Sequence, residues 1–186
     1  GYLDLDKSYC ERGRVQKRIG NNEAALLDLN QAIEMDSTNQ RALLLRSLVF
    51  SKMERYPKAI EDLSKLIDLG DKNADNYNNR GFYHNEIGNY EKAIPDFDKA
   101  IALDPNAAYS YNNRSEAKYH LGRYRAALKD VEVSLGLDPK NSYAYYNRGL
   151  IKLKLGEKEN ACDDLNIAKK LEHPKANDKL MEIGCK

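Results

Sequence analysis

The chain has 186 residues, long enough for a sizeable hydrophobic core, and carries 30 basic and 29 acidic side chains. The net charge of +1 gives no general attraction to nucleic acid or to an anionic membrane, so the composition favours neither partner. No apolar run approaches the ~20 residues that a membrane-spanning helix needs, and no signal segment opens the chain. Because the first residue is Gly1 rather than methionine, we expect that upstream sequence has been removed, including any signal or anchor segment.

A 34-residue repeat runs along most of the chain. We count five blocks from Asp6 and number the positions 1 to 34 within each block. Position 20 is always alanine, position 8 is always glycine or serine, and position 4 is tyrosine or leucine. Small residues at two facing places let two helices approach closely, so each block predicts a helical hairpin. After a lead-in of residues 1–5, the blocks are 6–39, 40–73, 74–107, 108–141 and 142–175.

Two helices are predicted in each block. Apolar residues recur at three- and four-residue spacing in two runs, roughly positions 2–14 and 18–31, with a turn near positions 15–17. The tripeptide LDP at 103–105 and at 137–139 ends the second run, since proline disfavours helix at the residue before it. Residues 176–186 predict a further amphipathic helix that caps the exposed flank of the fifth block.

The pattern of these blocks resembles the tetratricopeptide repeat (TPR) family over residues 6 to 175. The resemblance implies an all-α fold, a right-handed α-solenoid of five antiparallel hairpins followed by the capping helix. The sequence departs from the family pattern with tyrosine for tryptophan at position 4, Lys158 for the turn tyrosine and His173 for the last proline. The third block carries the match most fully, with Gly88, Tyr90, Ala93, Phe97, Ala100 and Pro105.

An arginine and an aspartate recur together in every block, at positions 7 and 23. In an antiparallel hairpin that turns near position 15, these positions lie equally far from the turn and therefore face each other. We interpret them as ion pairs that join the two helices, since a guanidinium group can bind a carboxylate through two hydrogen bonds. The alternative is a row of arginines that binds an acidic ligand. The pairs are Arg12 with Asp28, Arg46 with Asp62, Arg80 with Asp96, Arg114 with Asp130 and Arg148 with Asp164.

The sequence contains no motif for catalysis or for a cofactor. The phosphate-binding, dinucleotide-binding and zinc-protease signatures are absent, and the three histidines are scattered. We therefore expect a protein that is not an enzyme, with no catalytic residues, no metal and no cofactor.

Two of the three cysteines are candidates for a disulfide bond. Cys162 and Cys185 lie 11 residues before and 12 residues after His173, so a hairpin centred there brings them together. Two small buried thiols are the alternative, and Cys10 has no partner in either case. A bridge would indicate a periplasmic or extracellular protein, whereas reduced thiols would leave the cytoplasm as the better prediction.

The resemblance also implies a concave groove lined by positions 2, 5, 6, 9, 12 and 13 of the first helices. Asparagine recurs at position 6 in three blocks, and an amide can bond the backbone of an extended peptide without reading its side chains. Asparagine that is merely soluble at this position is the alternative. Basic residues lie at one end of the groove and tyrosines at the other. The predicted peptide-binding residues are Asn78, Asn79, Asn112, Asn113, Asn147, Tyr109, Tyr143, Tyr146, Phe82, Arg14 and Arg18.

These features predict a noncatalytic interaction module that binds a peptide or partner segment with an acidic end and apolar anchors. We expect no nucleic-acid partner and no direct membrane insertion by this segment. Two alternatives stay open: a scaffold that uses its convex face or edges, and an appendage of a larger enzyme.

Overall fold

The computed structural model describes residues 4–185, which form eleven helices and, within that range, no strand. The chain divides into two compact units, Gly1–Ile87 and Gly88–Lys186. The boundary falls inside the third block, and residues 1–3 of the expected lead-in lie outside the described range. The helices of the first unit are α1 (Leu5–Arg18), α2 (Asn22–Met35), α3 (Gln40–Lys52), α4 (Tyr56–Asp68) and α5 (Ala74–Glu86).

The second unit contains two complete hairpins flanked by single helices. Its α7 packs against α8 and its α9 against α10, while α6 packs against α7 and α11 against α10. The first unit is built in the same way, with α1 against α2 and α3 against α4. The helices of the second unit are α6 (Tyr90–Leu103), α7 (Ala108–His120), α8 (Tyr124–Leu137), α9 (Ser142–Lys154), α10 (Lys158–Lys170) and α11 (Ala176–Ile183).

Most helices begin one residue before the runs that the apolar spacing predicts. In four of the helices an asparagine at the N-cap accepts, through its side chain, a hydrogen bond from a backbone N–H of the first turn. These caps are Asn21, Asn39, Asn73 and Asn141, which accept from the N–H groups of Ala24, Ala42, Asp75 and Ala144 respectively.

The small residue at position 8 marks the closest approach of the two helices in a hairpin. A Cβ atom built on Gly149 would lie 2.8 Å from Cγ of Leu165 and 3.3 Å from the carbonyl oxygen of Ala161. Gly13 makes the same approach to Leu29 in the first block. Leu29 and Leu165 are themselves fully buried, so the leucine fills the space that a side chain at position 8 would occupy.

The turn at position 15 needs a left-handed backbone, and one block lacks the glycine that suits it. Gly20, Gly88, Gly122 and Gly156 have positive φ there, whereas Glu54 holds φ 55° in the second block. A non-glycine residue in this region is strained by about 1 kcal/mol because Cβ crowds the carbonyl oxygen.

We expect Glu54→Gly to raise the free energy of unfolding by up to about 1 kcal/mol, since the relieved strain exceeds the added entropy of the unfolded chain. Urea unfolding followed by circular dichroism measures the change. Gly122→Ala is the matched control, and it should lower the free energy of unfolding by a similar amount. If Glu54→Gly leaves the free energy of unfolding unchanged or lowers it, the backbone at residue 54 is not strained.

The last helix, α11, covers the end of the fifth block. Ala176 and Leu180 are its buried residues, and Gly184 ends the helix in a left-handed conformation. Cys185 follows directly, and its sulfur atom lies at disulfide-bonding distance from that of Cys162 on α10, with the two Cα atoms 5.7 Å apart. Cys10 is a buried single thiol.

None of the helices in the described part of the chain combines the length and the apolar character that crossing a membrane requires.

Candidate interaction surfaces

Four of the five predicted arginine–aspartate pairs lie within hydrogen-bond distance. In each, Nε and Nη2 of the arginine donate to the two carboxylate oxygens of the aspartate in the same block. The Nε to Oδ2 distances are 2.8 Å for Arg12–Asp28, 2.9 Å for Arg46–Asp62, 2.8 Å for Arg114–Asp130 and 2.9 Å for Arg148–Asp164. The fifth pair, Arg80 with Asp96, stays a prediction.

Each of three arginines also reaches the preceding block through its remaining nitrogen, Nη1. The acceptor lies at position 25, again 16 residues away in sequence. Arg46 Nη1 donates to Asn30 Oδ1 at 2.8 Å, Arg80 to Ser64 Oγ at 3.1 Å and Arg114 to Asp98 Oδ1 at 2.6 Å. The guanidinium group therefore joins three helices, and it fastens successive blocks as well as the two helices of one block.

Lysine adds a second cation to the last two aspartates. Lys118 Nζ lies 2.6 Å from Asp130 Oδ2, and Lys152 Nζ lies 2.7 Å from Asp164 Oδ2. The hydrogen bond to Asp164 raises the pKa of Arg148 above its usual value, against the opposing effect of burial. Arg114 and Arg148 are therefore held by their own aspartates and largely shielded from solvent, so neither offers a free guanidinium group to an acidic ligand.

The tyrosine at position 4 stacks on the same arginines. The Arg114 guanidinium lies 5.5 Å from the ring centre of Tyr111, and that of Arg148 lies 5.3 Å from Tyr145. Such cation–π contacts stabilise a guanidinium group that is partly removed from water.

In the second unit, two of the predicted groove tyrosines are prominent on the surface. Tyr109 and Tyr143 occupy position 2 of successive blocks, and their exposed fractions are 62% and 56%. The half-buried Asn113 and Asn147 follow at position 6 of the same helices. The structure thus repeats an exposed tyrosine and a partly exposed amide, one block apart.

Asn112 differs from the expectation of a peptide contact. Only 4% of its surface is exposed, and its Oδ1 accepts a hydrogen bond of 3.0 Å from Nδ2 of Asn147. The side chain of the next block lies over position 5, so Asn112 supports Asn147 instead of facing a ligand.

His173 ties the end of the fifth block to the groove tyrosines. Its ring stacks on Tyr146 at 4.1 Å between centres and meets the edge of Tyr143 at 4.8 Å. Burial, with a smaller effect of Lys175, lowers the pKa of His173 below its usual value, so the ring is neutral at neutral pH. Tyr146, unlike Tyr143, is half-buried, and burial raises its pKa.

The predicted basic end lies in the first unit, where an acidic residue reduces its charge. Glu11 stands at position 6, the asparagine position of later blocks, and its carboxylate lies 2.8 Å from Arg14 Nε and 2.7 Å from Arg41 Nη2. The hydrogen bond from Arg14 lowers the pKa of Glu11. Arg18 is exposed. Glu11 was not predicted as a groove residue, although it stands at the position that asparagine occupies in later blocks.

The remaining predicted residues of the first unit lie on α5. Asn78, Asn79 and Phe82 are each half-buried, and Phe82 packs against the hydrophobic core of the unit. Phe82 also meets the ring of Tyr83 edge-on, with 5.9 Å between centres.

Between residues 4 and 185, no group of three or more histidine, cysteine, aspartate or glutamate side chains is placed to hold a metal ion.

Family models described as tetratricopeptide repeat match residues 74–107 and, in a second model, residues 10–74 and 112–171. The chain belongs to the tetratricopeptide repeat family. This confirms the fold class expected from the sequence, a solenoid of helical hairpins. No curated protein matches the chain significantly.

Several solved TPR structures resemble this chain along nearly its whole length. A MamA protein superposes with a TM-score of 0.83 at 23% identity, over 94% of this chain and 95% of that one. YrrB, described as a TPR protein with an unusual peptide-binding site, has a TM-score of 0.78 at 22% identity, over 92% of this chain and 89% of its own. MamA from Desulfovibrio magneticus RS-1 has a TM-score of 0.84 at 18% identity, with 91% and 96% covered. Because all three sequence identities are below 25%, these similarities show that the fold is shared and nothing about function.

Proposed function

We propose that this TPR protein is a noncatalytic interaction module that binds an extended segment of a partner protein along α7 and α9 of the second unit. The observation that carries the proposal is the pair of exposed tyrosines, Tyr109 and Tyr143, at the same position of successive blocks. Exposed aromatic rings with hydrogen-bonding tips are enriched at binding hot spots, and a periodic pair suits a ligand that runs along the repeats.

The amides beside these rings supply hydrogen bonds to a peptide backbone. The bond to Asn112 uses one N–H of Asn147 and fixes the orientation of its amide. Its carbonyl oxygen then has no partner among the described residues and is available to accept a backbone N–H. Asn113 occupies the equivalent place on α7. Because the side-chain amide of Asn147 is already oriented before a ligand binds, it loses little conformational freedom on binding, and this favours affinity.

An acidic segment of the ligand is proposed to bind the first unit through Arg18 and Lys17. Arg14 contributes less, because Glu11 already balances its charge. Salt should therefore weaken only the part of the binding that depends on this acidic segment.

The proposal is tested with peptides selected from a random library against the intact chain. We expect Tyr109→Ser combined with Tyr143→Ser to weaken the selected peptides by at least about tenfold, since two anchors of the hot-spot type are lost. The matched control is Leu27→Ser, which removes an equally exposed apolar residue (72%) from α2. Calorimetric titration measures both. If the selected peptides bind the double variant as tightly as the original chain, the two tyrosines do not form the binding site.

The alternative is a scaffold that uses its convex face or edges, and it predicts the opposite pattern, in which Leu27→Ser weakens binding and the tyrosine variant does not. An appendage of a larger enzyme is the other alternative.

An oxidising compartment is part of the proposal. A bridge between Cys162 and Cys185 would persist in a periplasm or outside a cell, whereas a reducing cytosol keeps such cysteines as free thiols. The proximity of the two sulfur atoms supports this location.

A further inference from the structure

His173 stands at position 32 of the fifth block, where the third and fourth blocks have Pro105 and Pro139. Both polar groups of its backbone are bonded. The N–H donates to the carbonyl oxygen of Ala168 at 2.9 Å, and the carbonyl oxygen accepts the N–H of Ala176 at 3.2 Å. These bonds fix the residue between the end of α10 and the start of α11, and only 7% of its surface is exposed.

The imidazole ring contacts both tyrosines at the start of α9. It lies nearly parallel to Tyr146, with 16° between the planes, and it meets the edge of Tyr143, the exposed ring of the proposed groove. These contacts limit the rotation of the two tyrosine rings. A side chain that is ordered in advance loses less conformational freedom when a ligand binds. Tyr109 belongs to a block in which Pro139 stands at the position of His173.

The hydrogen bond of the imidazole ring requires its neutral form. Nδ1 of His173 accepts from the backbone N–H of Lys175 at 3.3 Å. A protonated imidazole carries a hydrogen on both ring nitrogens, so protonation would set two N–H groups against each other. It would also place a positive charge on a buried ring beside the charge of Lys175. Burial and Lys175 accordingly lower the pKa of His173.

Other charged groups around the stacked rings do not offset this cost. Lys179 and Glu182 on α11 shift the pKa of Tyr146 in opposite directions, and they pair with each other at 2.8 Å. Glu172 is exposed, so solvent screens its charge. The titratable and charged groups around the rings are Tyr143, Tyr146, Glu172, Lys175, Lys179 and Glu182.

We propose that His173 is a positioning residue of the groove, whose neutral ring orders Tyr143 and Tyr146 for the ligand and whose protonation releases them. This inference rests on the proposed function and adds its regulation by pH. A histidine released into solvent has the ordinary pKa of about 6.5, above that of the stacked ring. The stacked arrangement is therefore fully stable above this value and loses stability as the pH falls below it. Ligand affinity should fall over the same range, because the released state binds less well.

The first experiment needs no ligand. NMR of the intact chain measures nuclear Overhauser contacts between the ring of His173 and those of Tyr143 and Tyr146. We expect these contacts at about pH 7.5 and their loss at about pH 5, once His173 is protonated. The inference is overturned if the contacts persist after His173 has titrated. This measurement uses the unaltered chain, so it stands even if a variant fails to fold.

The second experiment measures the affinity of a library-selected peptide without histidine, by calorimetric titration at the same two pH values. We expect the affinity of the original chain to fall by at least about threefold at the lower pH. His173→Phe keeps an aromatic ring that cannot be protonated, so its affinity should match the original at the higher pH and change by less than about twofold. The matched control is His120→Phe, at a histidine that stacks on Tyr90, and it should keep the pH dependence of the original chain.

The outcomes separate this inference from the proposed function. If the original chain and His173→Phe respond equally to pH, His173 does not control the groove, although the groove still binds. If instead Tyr109→Ser with Tyr143→Ser leaves the affinity unchanged, the proposed function is wrong, and with it the regulation of that site by His173.

Discussion

Asp164→Ala is expected to lower the free energy of unfolding by about 3 kcal/mol, the lower end of the range for a broken buried ion pair. The side chain of Asp164 is 3% exposed and holds two cations, Arg148 at 2.6 Å and Lys152 at 2.7 Å. Without the carboxylate both cations are left in a poorly hydrated place. They keep about a fifth of their surface in water, which is why the expected loss stays at the lower end. Urea unfolding followed by circular dichroism measures it.

Asp28→Ala is the matched control, since Asp28 holds Arg12 with the same two hydrogen bonds. The side chain of Arg12 is 61% exposed, so its guanidinium group is readily hydrated once the aspartate is gone. We expect the loss at Asp28 to be clearly the smaller of the two. Equal losses at both sites would show that the second cation, Lys152, and the deeper burial of Arg148 contribute nothing to the pair.

The sequence predicted the arginine–aspartate pairs because their geometry depends only on the turn. Two positions equally far from the turn of a hairpin must face each other, and this argument needs no knowledge of how blocks stack. The contact of Nη1 with the preceding block was missed because it depends on stacking. A signal was present, since position 25 is polar in every block, with Asn30, Ser64, Asp98, Glu132 and Asn166.

The groove was predicted less completely, for a related reason. Family resemblance assigns positions to the concave side, but the exposure of a position depends on the side chain that the next block places over it. Tyr109 stands on the surface, as expected, whereas Asn112 is covered by Asn147. Glu11 likewise alters the charge of the basic end, because it lies between two arginines that come from different blocks.

The open flank of α1 shows a further limit of sequence patterns. The first block has the same residue types as its successors at positions 7 and 10, so the repeat alone gives no sign that Arg12 and Val15 are exposed. The structure shows the difference: Val15 is 42% exposed, whereas the residues at position 10 of the later blocks are at most 3% exposed.

Reduction of the bridge between Cys162 and Cys185 is expected to destabilise the chain by about 3 kcal/mol, because the bridge restricts a loop closed over 23 residues in the unfolded chain. The effect should centre on α11, the helix with the fewest neighbours, whose amide hydrogens should exchange faster in the reduced protein. Cys162→Ser with Cys185→Ser should reproduce both changes without a reductant, whereas Cys10→Ser is the control that leaves α11 unchanged.

Thiol counting on denatured, unreduced protein decides whether the bridge forms, and denaturation is needed because Cys10 is buried. One reactive thiol supports the bridge and the oxidising compartment proposed with it. Three reactive thiols would contradict both and make the cytoplasm the better assignment.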